Sequence, residues 1–425
     1  MTHGSTYDTA VRLISITLAA ALLAACGSRP DVLTFSGSVV GAEGEIVRRQ
    51  IERFREQYPD VEVEIRVTPD AADQRHQLYV QWLNAWAEEP DVLQLDVIWT
   101  PEFAAAGWIL PLDRFAPDPS DFFPATIAAN RWQGQLYALP WFVDVGMLYW
   151  RTDLMTAAPA TFDEVVTTSR AAMDRGALPY GLVWQGARYE GLVTVFVEHL
   201  AGMGGRILDD DGQVVVDSQA AIDALTFMRD AVHTAGIVPA AALSWQEEQT
   251  RFAFQNGRAA MMRNWPYAAA LLDDANASAV AGRFAVAPMP RGAGDPAAAL
   301  GGAQLAINAR SRQPDLAWAL IAFLTAPEQM LERAEVAGQF PSRESLYDSP
   351  RLNAALAIPA ADARRVVRQA VPRPVTPVYT QLSGILQVHL HRALTNQTTP
   401  AAALEAAARE MRAVLEYAGL QEARR

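Results

Sequence analysis

Residues 45–67 read EIVRRQIERFREQYPDVEVEIRV, and two periodicities meet inside them. Val47, Ile51, Phe54 and Tyr58 recur at i, i+4, i+7 and i+11, one face of a helix. Pro59 stops that helix, because its ring fixes φ and removes the N–H that the next turn would need. Val61, Val63, Ile65 and Val67 then alternate with charged residues, the two-residue period of a strand. Working outward, Val32 to Phe35 is a short apolar run that reads as a buried strand ahead of the helix. Beyond the second strand an amphipathic segment presents Leu78, Trp82 and Ala85, and Leu95 to Trp99 reads as another short strand. Strands alternating with helices in this order build parallel sheets covered by helices, so the fold class is α/β.

The pattern continues to the C-terminus. Thr161 and Glu164 form a capping box for a helix that closes near Gly176. Ser218 is placed to cap a helix with Ile222, Leu225, Met228 and Val232 on one face. Leu404, Ala408, Met411 and Leu415 mark the last helix. No internal repeat appears, and no single linker splits the chain into blocks of different composition. That suits two domains through which the chain passes more than once.

A polar stretch ending at Arg12 leads into an apolar run, Leu13 to Ala25, that stops at Cys26. The run is too short to span a membrane and has the shape of a secretory signal over residues 1–25. Leu23-Ala24-Ala25-Cys26 resembles a bacterial lipobox, which predicts cleavage before Cys26, lipid modification of that cysteine and an extracytoplasmic, membrane-anchored protein. An ordinary signal with a chance cysteine is the alternative. Cys26 is the only cysteine, which excludes an internal disulfide, thiol catalysis and a cysteine-based metal site. About 400 residues then remain, enough for two or three domains with substantial cores.

The formal net charge is −13, and all 35 basic residues are arginine. Without lysine there is no Schiff base, no pyridoxal-phosphate attachment and no phosphate-loop lysine. An acidic chain without a basic run makes a poor nucleic-acid binder. Of the six histidines only His389 and His391 are close, and on a helix i and i+2 point apart, so no metal site is expected. No cofactor is expected either.

Several segments carry a resemblance to a known family. They are Leu95-Asp96-Val97-Ile98-Trp99-Thr100-Pro101-Glu102-Phe103 with Gly107-Trp108, Gln135 to Pro140, Asp144 to Arg151, Phe254 to Met262 with Trp265-Pro266-Tyr267, Pro341-Ser342-Arg343, and Pro372 to Pro377. In order and spacing they resemble the family-one extracellular solute-binding proteins of ATP-binding-cassette (ABC) sugar importers, most of all the trehalose/maltose-binding branch. The resemblance implies a two-lobed, type II periplasmic-binding-protein fold with a hinge of crossing segments. Lobe I would comprise residues 26–140 and 284–330, and lobe II residues 141–283 and 331–425. It also implies a sugar in the cleft, the permease subunits of an importer as partner, and a monomer.

A sugar site needs paired carboxylates and amides, a planar cation and aromatic platforms. Asp96 interrupts an apolar strand, a costly place for a charge unless it sits at the strand end facing a polar ligand; capping the helix near Pro101 is its ordinary alternative. The resemblance places ligand contacts at Asp96, at Asp144 beside Phe142, at Trp265 as a stacking ring, at Glu190, at the Gly301-Gly302 pair and at Arg373. Arg373 stands between two prolines, where a planar guanidinium suits bidentate donation to adjacent sugar hydroxyls or to a site carboxylate, and a surface salt bridge is the alternative. Glu45, opening the first helix, matches the family's first loop but is equally explained by the helix dipole. Two positions depart from the branch: Ala303 stands where relatives often carry tryptophan, and Phe142 where they often carry tyrosine. The rival class is a secreted glycoside hydrolase with a carboxylate pair. Carboxylates are abundant enough for one, although no Glu-centred catalytic segment and no G-x-S-x-G stands out.

Overall fold

The computed structural model describes residues 31–38 and 42–420. The expected signal segment and Cys26 lie outside the described residues. The chain begins with β1 (Asp31–Gly37), α1 (Glu43–Gln57), β2 (Val61–Val67), α2 (Ala72–Asn84), β3 (Val92–Asp96) and α3 (Thr100–Ala105). β1 pairs in parallel with both β2 and β3, with the helices as crossovers. α1 buries Val47, Ile51 and Phe54, the stripe read above. β2 is the sheet edge, which leaves Val67 59% exposed. β3 starts and ends earlier than its apolar run suggested, because Val97 to Trp99 turn into α3. Asp96 is therefore the last residue of its strand.

β4 (Ala138–Val145) and β5 (Met147–Arg151) follow. Next come α4 (Phe162–Gly176), β6 (Tyr180–Val183), α5 (Glu190–Gly202) and α6 (Gln219–His233). After them run α7 (Glu247–Gln255), β7 (Ala259–Asn264), β8 (Phe284–Pro288) and β9 (Leu300–Ile307). The chain ends with α8 (Pro327–Ala337), β10 (Phe340–Pro341), α9 (Ala360–Arg368), α10 (Tyr379–Leu394) and α11 (Pro400–Tyr417). Six strands, ordered β10-β4-β9-β3-β1-β2, form one sheet; four, ordered β8-β5-β7-β6, form a second; and Arg131–Trp132 pairs with Gln135–Leu136 in a two-stranded ribbon. Each large sheet is flanked by helices, and there are two buried cores: the first fills the first lobe and continues to Tyr149, Phe254 and Met262 of the second, and the second lies under α5, α6, α10 and α11. In the second, Leu404, Ala408, Met411 and Leu415 of α11 are buried, each large apolar side chain contributing about 1.5–3 kcal/mol. Thr161 caps α4 by accepting the N–H of Glu164 at 3.2 Å, whereas the Ser218 hydroxyl at the start of α6 makes no capping bond.

The chain crosses between lobes three times, and each crossing lies beyond the expected boundary. Pro140 is inside β4, not at its end. It pairs with Gln304 where the β4–β9 register slips, a bulge that tolerates a residue without an N–H. The first crossing is Gly146. Phe284 to Pro288 ladder with β5 and so belong to the second lobe, which puts the return after Pro288. Residues 331–370 stay with the first lobe: α8 buries Met330, Arg333 and Ala334, and Gln50 Nε2 donates to the Gln329 carbonyl at 2.8 Å. The third crossing runs from Val371 to Val378. The second and third crossings are paired, Leu300 N–H to Val371 O at 2.9 Å and Val371 N–H to Ala298 O at 2.8 Å. Among the described residues no helix is long and apolar enough to cross a membrane.

Candidate functional site

Between the lobes lies a cavity of about 320 Å³, within the size range of small-ligand sites. Asp96, Phe142, Asp144 and Glu190 line it, as do Trp265, Gly301, Gly302 and Arg373. Strand alternation delivers three of them. Gln94 and Asp96 share one face of β3, and Phe142 and Asp144 share one face of β4. Trp265 leaves the end of β7, its N–H held by Asn264 Oδ1 at 2.8 Å.

Glu45 is not in the cleft. It is exposed and pairs with Arg49 at 2.6 Å. The lining carboxylate is Glu43, which accepts from Ser38 Oγ at 2.7 Å and Gln94 Nε2 at 3.1 Å, with Arg333 3.7 Å away. Two residues along a helix turn a side chain to roughly the opposite face. Stepping back four positions from Val47 in the buried stripe lands on Glu43, a signal present in the sequence. Arg75, Tyr189, Glu247, Tyr267 and Gln339 also line the cleft without having been singled out. Glu247 opens α7, where an acidic residue is already explained by the helix dipole.

Arg373 donates to two site carboxylates and is not the surface salt bridge of the alternative reading. It is 5% exposed and spans the site. Nη1 donates to Glu190 Oε1 at 2.6 Å and Nη2 to Asp96 Oδ1 at 3.1 Å. Tyr379 Oη at 2.7 Å and Ser383 Oγ also donate to Glu190. Burial pulls the Arg373 pKa down, and the Asp96 and Glu190 carboxylates more than restore it, so the cation persists. Burial raises the Glu190 pKa, with Arg373 opposing.

Asp144 is the cleft carboxylate with capacity to spare, as Tyr189 Oη, Arg75 Nε and Arg373 Nε are among the cleft's other lining groups. Its Oδ1 is buried without a hydrogen-bond partner. Burial pushes its carboxyl up to about 7, with the Glu43 and Asp96 charges adding and Arg263 opposing. A cleft-lining carboxylate with an oxygen that no group of the chain satisfies has capacity for a further donor.

The glycine pair serves the backbone first. Gly302 has φ +112°, and a Cβ there would lie 2.2 Å from the Phe142 carbonyl oxygen. Gly301 faces the Trp265 ring, 3.2 Å from where a Cβ would be. Gly302→Ala is expected to cost about 2 kcal/mol or more in urea unfolding. A loss within about 0.5 kcal/mol, the scale of neutral surface changes, would contradict this account of the turn.

Comparison with known proteins agrees with this geometry. Residues 39–331 match the family described as bacterial extracellular solute-binding protein. A probable ABC transporter-binding protein of Deinococcus radiodurans is 34% identical over 402 residues, 91% of this chain and 94% of that one. The solved structure of maltose-bound T. maritima MalE3 superposes with a TM-score of 0.86 at 41% identity, covering 90% of this chain and 100% of that one. The maltotriose-binding protein of Pyrococcus abyssi is 25% identical over 339 residues, 77% of this chain and 70% of that one. With two sheeted lobes, three crossings and a polar cleft between them, the chain belongs to the family of bacterial extracellular solute-binding proteins.

Proposed function

We propose that the cleft captures a maltose-type di- or oligosaccharide and that the loaded protein delivers it to the permease of an ABC importer. The observation that carries this reading is the pairing of Trp265 with the unpartnered Asp144 oxygen in one cavity. The indole offers a stacking face to a sugar ring, and the carboxylate accepts the hydroxyls at that ring's edge. Gln94, Asp96 and Glu43 supply further polar groups from the first lobe. The maltose-bound and maltotriose-binding relatives support the same ligand class. Ala303 in place of a ring leaves room on the first-lobe wall for a longer or branched saccharide. A saccharide panel should raise the melting temperature with the concentration dependence of mass action, and the sugar should be recovered intact. Release of monosaccharide at enzymatic rates, lost on Asp144→Asn, would instead establish a glycoside hydrolase.

The same reading places the protein on the outer face of a membrane through a lipid on Cys26, as a monomer. Leu23-Ala24-Ala25-Cys26 and the preceding apolar run support it. Mass spectrometry of the membrane fraction should find a diacylglyceryl-modified N-terminal cysteine. An unmodified, released protein that Cys26→Ala leaves unchanged would contradict the anchor.

A further inference from the structure

Behind the aromatic platform sits a buried ion pair that the roles above do not use. The Arg263 side chain is 1% exposed and that of Glu198 is 0% exposed. Arg263 Nε donates to Glu198 Oε2 at 2.8 Å, Nη2 donates to Glu198 Oε1, and Nη1 donates to Gln185 Oε1 at 3.1 Å. These in-plane bonds leave the flat face of the guanidinium free. That face lies 3.9 Å from the Trp265 ring centroid, a desolvated cation–π contact. Apolar residues of similar volume stabilise a fold at least as well as a buried ion pair, so stability alone gives no reason for one at this spot.

Two further contacts carry the pair to the hinge. Glu198 Oε1 accepts the N–H of Ala299 at 3.4 Å on the second crossing, and Ala299 bridges to Val371 on the third. Gly146, the first crossing, packs so closely that a Cβ would lie 1.7 Å from Glu198 Oε1 and 2.8 Å from Arg263 Nη2. The outer edge of the Trp265 ring, at Cη2 and Cζ3, abuts Gly301 of β9. One fixed cation therefore stands between the platform and the crossings.

We propose that Glu198 and Arg263 are positioning residues for the ligand: they hold the Trp265 indole at its stacking angle and tie that angle to the hinge. This rests on the reading of Trp265 as the sugar platform. A double-mutant cycle with maltose as the probe tests it. Arg263→Met should weaken maltose binding roughly tenfold in the otherwise native chain and less than twofold in a Trp265→Ala background. Equal losses in both backgrounds, or no loss, would overturn the proposal. Glu198→Gln, nearly isosteric, carries the same cycle if Arg263→Met does not fold. A ligand-independent readout separates this proposal from the choice of sugar. With 5-fluorotryptophan incorporated, the Trp265 fluorine signal, assigned from Trp265→Phe, should move and broaden in unliganded Arg263→Met or Glu198→Gln. An unmoved signal overturns the positioning role even if maltose binds. Failure of maltose to bind the native chain while the signal moves overturns the ligand and leaves the positioning role standing.

Discussion

Replacing Arg373 by alanine is expected to lower the unfolding free energy by about 3–5 kcal/mol, the cost of stripping one partner from a buried ion pair. The magnitude follows from what stays behind. Glu190 is enclosed at the start of α5 and would keep only the Tyr379 and Ser383 hydroxyls, while Asp96 would lose its cation. Because Arg373 joins the end of β3 to α5 along the third crossing, sugar binding should fail together with stability. Urea unfolding of the unliganded variant checks the first part and calorimetric titration the second. A variant as stable as the native chain with ordinary affinity would show that the arginine is a surface group after all.

Asp144 should make both stability and affinity depend on pH, with opposite signs. Its folded-state pKa of about 7 lies above its unfolded value near 4. Between those values the folded chain holds a proton that the unfolded chain has released. Unliganded stability from this group is thus complete below about pH 4 and falls as pH rises through about 7, by at most about 1.4 kcal/mol per pH unit. A sugar hydroxyl donating to Oδ1 favours the ionised form, so binding expels the proton. Affinity should be full above about pH 7 and weaken by up to about tenfold per unit as pH falls below it. Asp144→Asn should remove both slopes. Titrations in buffers of different ionisation enthalpy should detect close to one proton released at pH 6; no release there would contradict the raised carboxyl.

Much of this architecture was legible in the sequence because the relevant signals are local. The stripe in α1, the alternation in β2 and the last helix each follow from a period of 3.6 or 2.0. Asp96 stood out because a charge in an apolar strand needs a reason, and Asp144 through the family resemblance. What the sequence withheld was tertiary. Nothing near Pro140 says that a bulge against Ala303 and Gln304 lets β4 continue to Val145. The burial of Arg373 depends on Glu190, far away in the chain, so local context between two prolines left donation at the site and a surface salt bridge both open. Glu43 was missed for Glu45 by half a helical turn, although the stripe pointed to it. The Glu198–Arg263 pair involves two ordinary charged residues in unrelated elements, and only the fold brings them together behind Trp265.

The most direct test of the account is a crystal structure of the mature chain with maltose. It should place one intact disaccharide between the lobes, a pyranose ring stacked on Trp265 and hydroxyls within hydrogen-bond distance of Asp144 Oδ1 and Asp96. Maltose seated elsewhere, cleaved, or touching neither aspartate would contradict the claim that this cleft is the sugar site.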